Sequence, residues 1–317
     1  MSLPSAGFVA PAAASETVCI PCRHQSAHLY RALPFALGAA LARIVPLPLL
    51  RRFGAWAGGW YARTHPEKVA VVRDNLRLLD PAHGDAAARR VFASFGATLA
   101  DYFHIGTRPP LEAARLISRT QGEEHLRAAR LGGKGALVVT AHLGLFELGG
   151  LATALSGFPS AAVSLPEPSP GLTAWRNAFR ARWGVETIEV GTGPFSCLRV
   201  AERLRAGACV AALIDRPRPE GAERATPVSL PNGTAPFTPD ILLLAQQCGA
   251  PVLPAAMVRQ DDGTYHATIF PPFLVESRGD RAETLRHAAQ RVADQLFPLV
   301  CAHPEQWYQF VPLSRSS

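Results

Sequence analysis

The residues of this chain best suited to acid–base chemistry are His142 and Glu147, which follow a continuous apolar run that leads up to Thr140. The run contains the β-branched Val138 and Val139, and a short run of this kind predicts a buried parallel strand. His142 would then stand in the loop at the carboxyl end of that strand, where open α/β sheets bind their ligands. A neutral imidazole in such a place can take a proton from a hydroxyl.

The spacing of His142 and Glu147 restricts how the two side chains could meet. They are five residues apart, and neighbours on one face of a continuous helix are three or four apart. The chain must therefore turn between them, and Gly144 permits such a turn. In that arrangement Glu147 would fix the imidazole tautomer and stabilise the imidazolium. The alternative is a core histidine followed by an unrelated carboxylate at the start of the next helix.

Further polar residues are candidates for the same site. Asp215 ends a second apolar run, at residues 208–214, so it would lie at the same sheet edge as His142. The alternative is a carboxylate that only caps the following loop. Arg176 and Arg180 are four residues apart and share one face of a predicted helix. A guanidinium fixed near His142 could stabilise an oxyanion, whereas most arginines on helices face solvent.

The elements that must position these residues alternate along the chain. Residues 66–131 have a helical pattern that includes a short helix at 111–117, and from residue 136 short apolar strands alternate with helices. Residues 252–259 and 265–270 are typical of antiparallel strands joined by a turn. The predicted fold class is therefore α/β, with a mixed, mainly parallel sheet flanked by helices.

The N-terminal part of the chain divides into two segments. Residues 1–25 are rich in Ala, Ser and Pro and are predicted to be a disordered leader. Residues 26–64 contain two apolar segments, broken by prolines and separated by arginines. Their aromatic residues are Phe53, Trp56, Trp60 and Tyr61. This pattern favours a helical segment that associates with a membrane interface, although amphipathic helices covering a core also fit it. Residues 65–317 would form the catalytic domain.

The composition excludes several classes of protein. The net charge is +7, but no basic run with interleaved aromatic residues occurs, so nucleic acid is not an expected partner. The six cysteines are scattered through a long chain, which argues against a disulfide framework and indicates a reducing compartment. The sequence has no GxSxG elbow and no GxGxxG after a strand, so neither an α/β-hydrolase serine nor a dinucleotide cofactor is expected.

Two other clusters contain residue types that bind ligands. The first comprises Cys19, Cys22, His24 and His28. Its spacing lacks the second knuckle of a structural zinc site, so no metal is expected. The second comprises Arg216, Arg218 and Arg224, in the loop after the second apolar run. These arginines could contact phosphate or an acidic carrier protein, or could simply face solvent.

From about residue 30 to 311 the chain resembles the bacterial lipid A biosynthesis acyltransferases, the late lauroyl/myristoyl transferase family. His142-Leu-Gly-Leu-Phe-Glu147 is similar to the H-x4-E/D box of that family, and Leu213-Ile-Asp215 is similar to its strand that ends in aspartate. Arg180-Ala-Arg-Trp-Gly184 is similar to the helix that bears an arginine proposed to act at the reacting carbonyl. The other similar segments are Asn75-Leu76 with Pro81, 122–126, 133–142, 244–254 and 304–307.

The resemblance implies a glycerolipid-acyltransferase-like fold and an enzyme that is peripheral or monotopic on the cytoplasmic face of the cell inner membrane. It would move a fatty acyl chain from acyl carrier protein or acyl-CoA to a hydroxyl of a membrane lipid or glycolipid, without an acyl-enzyme. The thioester would be a co-substrate, and no cofactor is implied. His142 would be the base and Glu147 its orienter. Arg180 would contact the carbonyl or oxyanion, and Asp215 would support the site.

The end of the chain departs from the family pattern. The family often ends in Trp-x-His-Arg-Arg, whereas this chain reads Trp307-Tyr-Gln-Phe-Val-Pro-Leu313. Arginines there would pair with phosphate, so we expect an acceptor other than lipid A. A lipid A acyltransferase proper is the alternative, with the loop arginines compensating. A hydrolase that uses water as acceptor would need the same His142 and Glu147. A non-catalytic lipid-binding relative would not need them, so the intact candidate residues disfavour it.

Overall fold

The computed structural model describes residues 32–167, 169–191, 195–216 and 225–313. The helices in this part of the chain are α1 (Ala32–Ile44), α2 (Leu47–Thr64), α3 (Pro66–Leu76), α4 (Asp85–Thr107), α5 (Pro110–Ala113), α6 (Glu123–Leu131), α7 (Phe146–Leu155), α8 (Pro170–Ala181), α9 (Phe195–Arg205), α10 (Ile241–Cys248) and α11 (Arg281–Ala302). The strands are β1 (Ile117–Gln121), β2 (Ala136–Thr140), β3 (Ser160–Ser164), β4 (Val185–Glu189), β5 (Cys209–Leu213), β6 (Thr226–Leu230), β7 (Gly233–Phe237), β8 (Val252–Arg259) and β9 (Tyr265–Ile269).

Some of the sequence predictions fall on other residues. The leader at 1–25, the candidate ligand cluster of Cys19, Cys22, His24 and His28, and the loop residues Arg218 and Arg224 lie outside the described residues. Among the described residues, no group of three or more His, Cys, Asp or Glu side chains is arranged to hold a metal ion.

Seven strands form one sheet in the order β1-β9-β8-β2-β5-β3-β4. All neighbours are parallel except β8 and β9, which are antiparallel. The prediction of an α/β fold with a mixed, mainly parallel sheet is therefore confirmed. Strands β6 and β7 form a separate antiparallel hairpin.

The register of β2 and β5 brings the two predicted site loops together. The pairing runs from Ala136 opposite Cys209 to Thr140 opposite Leu213, so the two strands end level with each other. His142 and Asp215 each stand two residues beyond these paired ends. Because parallel strands present their carboxyl ends at one edge, the two side chains share a crevice there.

Helices cover both faces of the sheet. Alternate residues of β2 point to opposite faces, and Leu137 and Val139 are buried in a core formed with α10 and α11, represented by Leu242 and Leu296. On the other face, α7 and α8 contribute to a second core that contains the fully buried Leu148. Full burial of a side chain of this size contributes roughly 1.5–3 kcal/mol.

The short helix predicted at residues 111–117 is correct only in its first part. Helix α5 ends at Ala113, a 3-10 turn follows, and Ile117–Gln121 is an edge strand parallel to β9. Most of this strand is exposed on both faces, so its sequence shows no apolar alternation. Pairing with β9 decides its conformation, as β-propensity depends strongly on such context.

The N-terminal helices α1 and α2 meet at Pro46 and pack on α4 through glycines. A Cβ at Gly58 would stand 2.1 Å from the Phe92 carbonyl oxygen, and one at Gly54 would stand 2.2 Å from that of Gly96. Glycine is therefore required for this close approach, as in small-residue helix packing generally. Arg51 of α2 also donates to Asp101 of α4 at 2.5 Å. These contacts join α2 to the rest of the domain.

The outer faces of α1 and α2 are apolar and exposed. The exposed side chains are Leu37, Leu41 and Ile44 on α1 and Leu49, Phe53, Trp56 and Trp60 on α2. Within each helix these residues recur at intervals of three or four, so each set forms one face. Among the described residues, no helix combines the length and the apolar character needed to cross a membrane.

Candidate active site

His142 lies in the loop after β2, and its carboxylate partner is Asp215. The two atoms His142 Nδ1 and Asp215 Oδ1 are 2.7 Å apart, and Asp215 Oδ2 accepts the backbone N–H of His142 at 2.9 Å. The side chain of His142 is 21% exposed, whereas that of Asp215 is 1% exposed. The loop therefore presents the imidazole to solvent while Asp215 holds it from beneath.

Asp215 accepts two more side-chain donors from the end of the chain. Trp307 Nε1 donates to Asp215 Oδ2 at 2.9 Å, and Gln309 Nε2 donates to the same oxygen at 2.7 Å. Burial alone would raise the pKa of Asp215, but the attraction to His142 and the hydrogen bonds from His142 and Trp307 outweigh it and hold this pKa well below its usual range. Asp215 is therefore ionised at neutral pH.

An ionised Asp215 defines the tautomer of His142. The carboxylate only accepts hydrogen bonds, so Nδ1 of His142 carries the proton and Nε2 keeps its lone pair. Burial lowers the pKa of His142, and the Arg216 charge acts in the same direction, so the net shift is downward although Asp215 opposes it. The site thus holds a neutral imidazole whose Nε2 can accept a proton.

The acid limb of kcat/KM should lie below pH 6.5, the ordinary pKa of imidazole. His142 accepts a proton only when neutral, and its lowered pKa keeps it neutral to a lower pH. Activity should therefore be complete at neutral pH and fall as the pH drops through the lowered value. Measuring kcat/KM from acidic to neutral pH checks this. An acid limb centred above the ordinary imidazole value would contradict it.

Glu147 does not contact His142, and its partner is Arg180. The Arg180 Nη2 and Nε atoms donate to Glu147 Oε1 and Oε2 at 2.5 and 3.2 Å. Both side chains are buried, with 9% of Glu147 and 7% of Arg180 exposed. Burial would raise the pKa of Glu147, but the charge and hydrogen bonds of Arg180 outweigh it and lower this pKa. The pair is therefore ionised.

This pairing corrects the expected contact between His142 and Glu147. Helix α7 begins at Phe146, so Glu147 lies in its first turn, and its side chain meets α8. The chain does turn at Gly144, whose φ is +57°. A Cβ there would be 2.0 Å from the Met257 carbonyl oxygen. The turn separates the imidazole from the helix start, which leaves the orienting contact to Asp215.

The segment around Trp307 supports the His142 loop, and the sequence did not predict these contacts. The Tyr308 N–H donates to the His142 carbonyl at 2.8 Å, and the Gly144 N–H donates to the Gln306 carbonyl at 2.9 Å. Arg216 donates to the Tyr308 carbonyl at 2.9 Å, so this loop arginine also lies beside the site. The one available signal was that 304–307 resembled a family segment.

An apolar cavity of about 200 Å³ lies between α7 and the sheet. Glu147, Arg180 and Phe146 line the end nearest to His142, whose ring is 5.8 Å from that of Phe146. Small residues from four strands line the walls: Ala161, Ala162, Ala211, Ala255, Ala256 and Ala267. The cavity extends from the carboxyl edge of the sheet toward Ser160 and Cys209, which begin their strands.

The fold and the site define an α/β enzyme with a His–Asp pair at the carboxyl edge of the sheet and a narrow apolar cavity beside it. Residues 23–315 match the family described as bacterial lipid A biosynthesis acyltransferase. The match spans nearly the whole chain, which therefore belongs to this family and is an acyltransferase. The resemblance noted in the sequence is confirmed.

Individual proteins resemble this chain only distantly. The comparison with curated proteins gave no match. Among solved structures, the chain is similar to the 1-acyl-sn-glycerophosphate (LPA) acyltransferase PlsC from Thermotoga maritima, with 14% identity and a TM-score of 0.38. The similarity covers 78% of this chain and 98% of that one.

Proposed function

We propose that this acyltransferase moves a fatty acyl chain from an acyl thioester, carried by acyl carrier protein or CoA, to a hydroxyl of a membrane lipid or glycolipid. The observation that carries the proposal is the neutral His142, held at Nδ1 by the ionised Asp215 at 2.7 Å beside an apolar cavity. A base and a site for an acyl chain are the two parts that such a transfer needs.

The proposed reaction proceeds without an acyl-enzyme. Nε2 of His142 takes the proton of the acceptor hydroxyl as its oxygen attacks the thioester carbonyl. The C–O bond forms, the carbonyl electrons move to oxygen, and on collapse the C–S bond breaks. The imidazolium, stabilised by Asp215, then gives its proton to the departing thiolate. Because a thioester is already activated, the proposal requires no cofactor and no metal.

Glu147 and Arg180 have a different part in this proposal from the one first expected of them. They line the cavity at its end nearest to His142 and are held to each other by two hydrogen bonds. Their pair keeps the start of α7 against α8 and so maintains the shape of the cavity mouth. Arg180 also places a positive charge beside the carbonyl on which negative charge develops.

The cavity is proposed to hold the acyl chain. Cys209, Ala211 and Leu213 alternate along β5 and all line the cavity, so it follows this face of the strand for about 13 Å. Its walls carry mainly small apolar side chains, which leave room for a hydrocarbon but offer it few polar partners. A chain inserted from the His142 end would place its carbonyl next to the base.

The variant Gly150→Leu should shift the preference of the enzyme toward shorter acyl chains. Gly150 lines the cavity, and a Cβ there meets no atom within 4 Å, so the added side chain fills the cavity space without disturbing the backbone. Comparing kcat/KM across thioesters of increasing chain length measures the shift. Gly150→Ala is the matched control and should change the preference little. An unchanged profile in Gly150→Leu would place the acyl chain elsewhere.

We further propose that the exposed faces of α1 and α2 lie in the cytoplasmic interface of the inner membrane. Four apolar side chains of α2 form one face, and two of them are the tryptophans typical of such interfaces. Helix α1 packs on α8 through Phe35 and Trp175, whose rings are 5.6 Å apart. Helix α8 carries Arg180, so a lipid acceptor in the membrane would be close to the site.

The double variant Trp56→Ser with Trp60→Ser should weaken binding to anionic lipid vesicles by more than tenfold. The two side chains are 61% and 55% exposed, and burying a large apolar side chain contributes roughly 1.5–3 kcal/mol. Vesicle flotation measures the loss. Leu274→Ser is the control, because Leu274 is 59% exposed next to Phe273, which pairs with Val252 at the opposite sheet edge. Equal binding by both variants would contradict the proposal.

The acceptor is proposed to differ from lipid A. Gln309 is buried against Asp215, and Phe310 packs on Phe92 with ring centroids 5.1 Å apart, so neither presents a cation to a phosphate. The deciding experiment has two arms. Purified enzyme is given a labelled acyl thioester with and without lipid acceptors, and the chain is expressed in a strain lacking its late acyltransferases. Acyl release that ignores the acceptor would indicate a hydrolase, and a restored secondary chain would identify lipid A.

A further inference from the structure

Two buried polar atoms beside the candidate site have no hydrogen-bond partner among the described residues. They are the Tyr102 hydroxyl on α4 and Nε of Arg176 on α8. Leaving a buried donor unsatisfied costs about 1–3 kcal/mol, so such atoms need a physical explanation. Both are donors, and Arg176 is already anchored at another nitrogen, since its Nη1 donates to Glu167.

The two side chains are neighbours. The Cζ atom of Arg176 lies 5.8 Å from the centroid of the Tyr102 ring. The same ring packs against Phe179 of α8, with centroids 4.9 Å apart, which fixes its position along that helix. The guanidinium is held by Glu167 and the phenol by its aromatic neighbours. The two unpartnered donors are therefore presented by side chains that are already immobilised.

Both donors lie close to the proposed reaction centre. Arg176 precedes Arg180 by one helical turn, about 5–6 Å, and Arg180 binds Glu147 at the mouth of the cavity. Burial has the largest influence on the pKa values of His142 and Glu147, and the Arg176 charge also lowers each. Arg176 thus faces both residues, whereas Nε and Nη2 of Arg180 are engaged by Glu147.

We propose that the Tyr102 hydroxyl and Arg176 Nε bind the thioester carbonyl oxygen and stabilise the oxyanion that forms on it. The inference rests on the proposed acyl transfer at His142. When the acceptor oxygen bonds to the carbonyl carbon, the carbonyl electron pair moves to this oxygen, and it returns as the C–S bond breaks. Two fixed donors at that oxygen stabilise the charge. Burial raises the pKa of Tyr102 to about 12, so the hydroxyl keeps its proton.

The test compares Tyr102→Phe and Arg176→Lys with the full-length enzyme in the acyl-transfer assay. Each variant removes one donor while keeping the ring or the positive charge. Loss of one oxyanion donor typically lowers kcat by about 10²–10³-fold, and KM for the thioester should change little. The melting temperature of Tyr102→Phe should not fall, because the removed hydroxyl has no partner in the folded protein.

Tyr265→Phe is the matched control for a buried tyrosine hydroxyl. The Tyr265 hydroxyl donates to Asp101 at 2.7 Å, away from the cavity mouth, so its loss should lower the melting temperature and leave kcat unchanged. If Tyr102→Phe and Arg176→Lys keep kcat within twofold, or raise only KM, while His142→Ala is inactive, the inference is overturned and the proposed function stands. If His142→Ala remains active, the proposed function itself fails.

Discussion

Replacement of His142 by alanine should lower turnover by about 10²–10⁴-fold, the usual cost of removing a general base. The fold should survive, because the His142 side chain is 21% exposed in a loop whose backbone is held by Tyr308 and Gln306. The measurement is the steady-state rate of acyl transfer by purified protein, together with its melting temperature.

The control for this prediction is His287→Ala. His287 is exposed on α11, so its removal should leave both the rate and the melting temperature unchanged. Asp215→Asn is the informative companion variant, since it keeps the shape of the side chain but removes the charge that stabilises the imidazolium. A purified His142→Ala enzyme with nearly normal turnover would refute the role of His142 as base.

Glu147→Ala should destabilise the protein by about 3–5 kcal/mol, because it leaves the Arg180 guanidinium buried without its partner. The pair has 9% and 7% of its side chains exposed, so water screens it little. Chemical denaturation measures the change in the free energy of unfolding. The double variant Glu147→Leu with Arg180→Met should recover much of the stability, since a well-packed apolar pair can replace a buried ion pair.

The control for this second prediction is an exposed ion pair. Arg281 and Asp240 are 3.1 Å apart, with 70% and 46% of their side chains exposed, so Arg281→Ala should change the unfolding free energy by about 0–1 kcal/mol. A Glu147→Ala protein as stable as the Arg281→Ala protein would show that the buried pair is not required for the fold. Acyl transfer by the double variant would then measure how far the pair shapes the cavity mouth.

Local patterns in the chain were sufficient to predict much of the sheet. Short apolar runs at residues 137–140 and 208–214 became β2 and β5, because a strand buried on both faces carries few polar residues. The polar residues that follow each run then had to lie at one edge. The edge strand Ile117–Gln121 was missed because its side chains are mostly exposed, and only β9 makes it a strand.

The sequence by itself determined which residues end the strands and which family the chain resembles, since both follow from residue types at short spacings. The tertiary structure alone decided which carboxylate holds His142. Asp215 is 73 residues away in the chain and reaches the imidazole through strand register, whereas Glu147 is turned to Arg180 by the packing of α7 on α8. The contacts of Trp307 with Asp215 span 92 residues. No local pattern encodes such contacts, because they depend on where folding places distant segments.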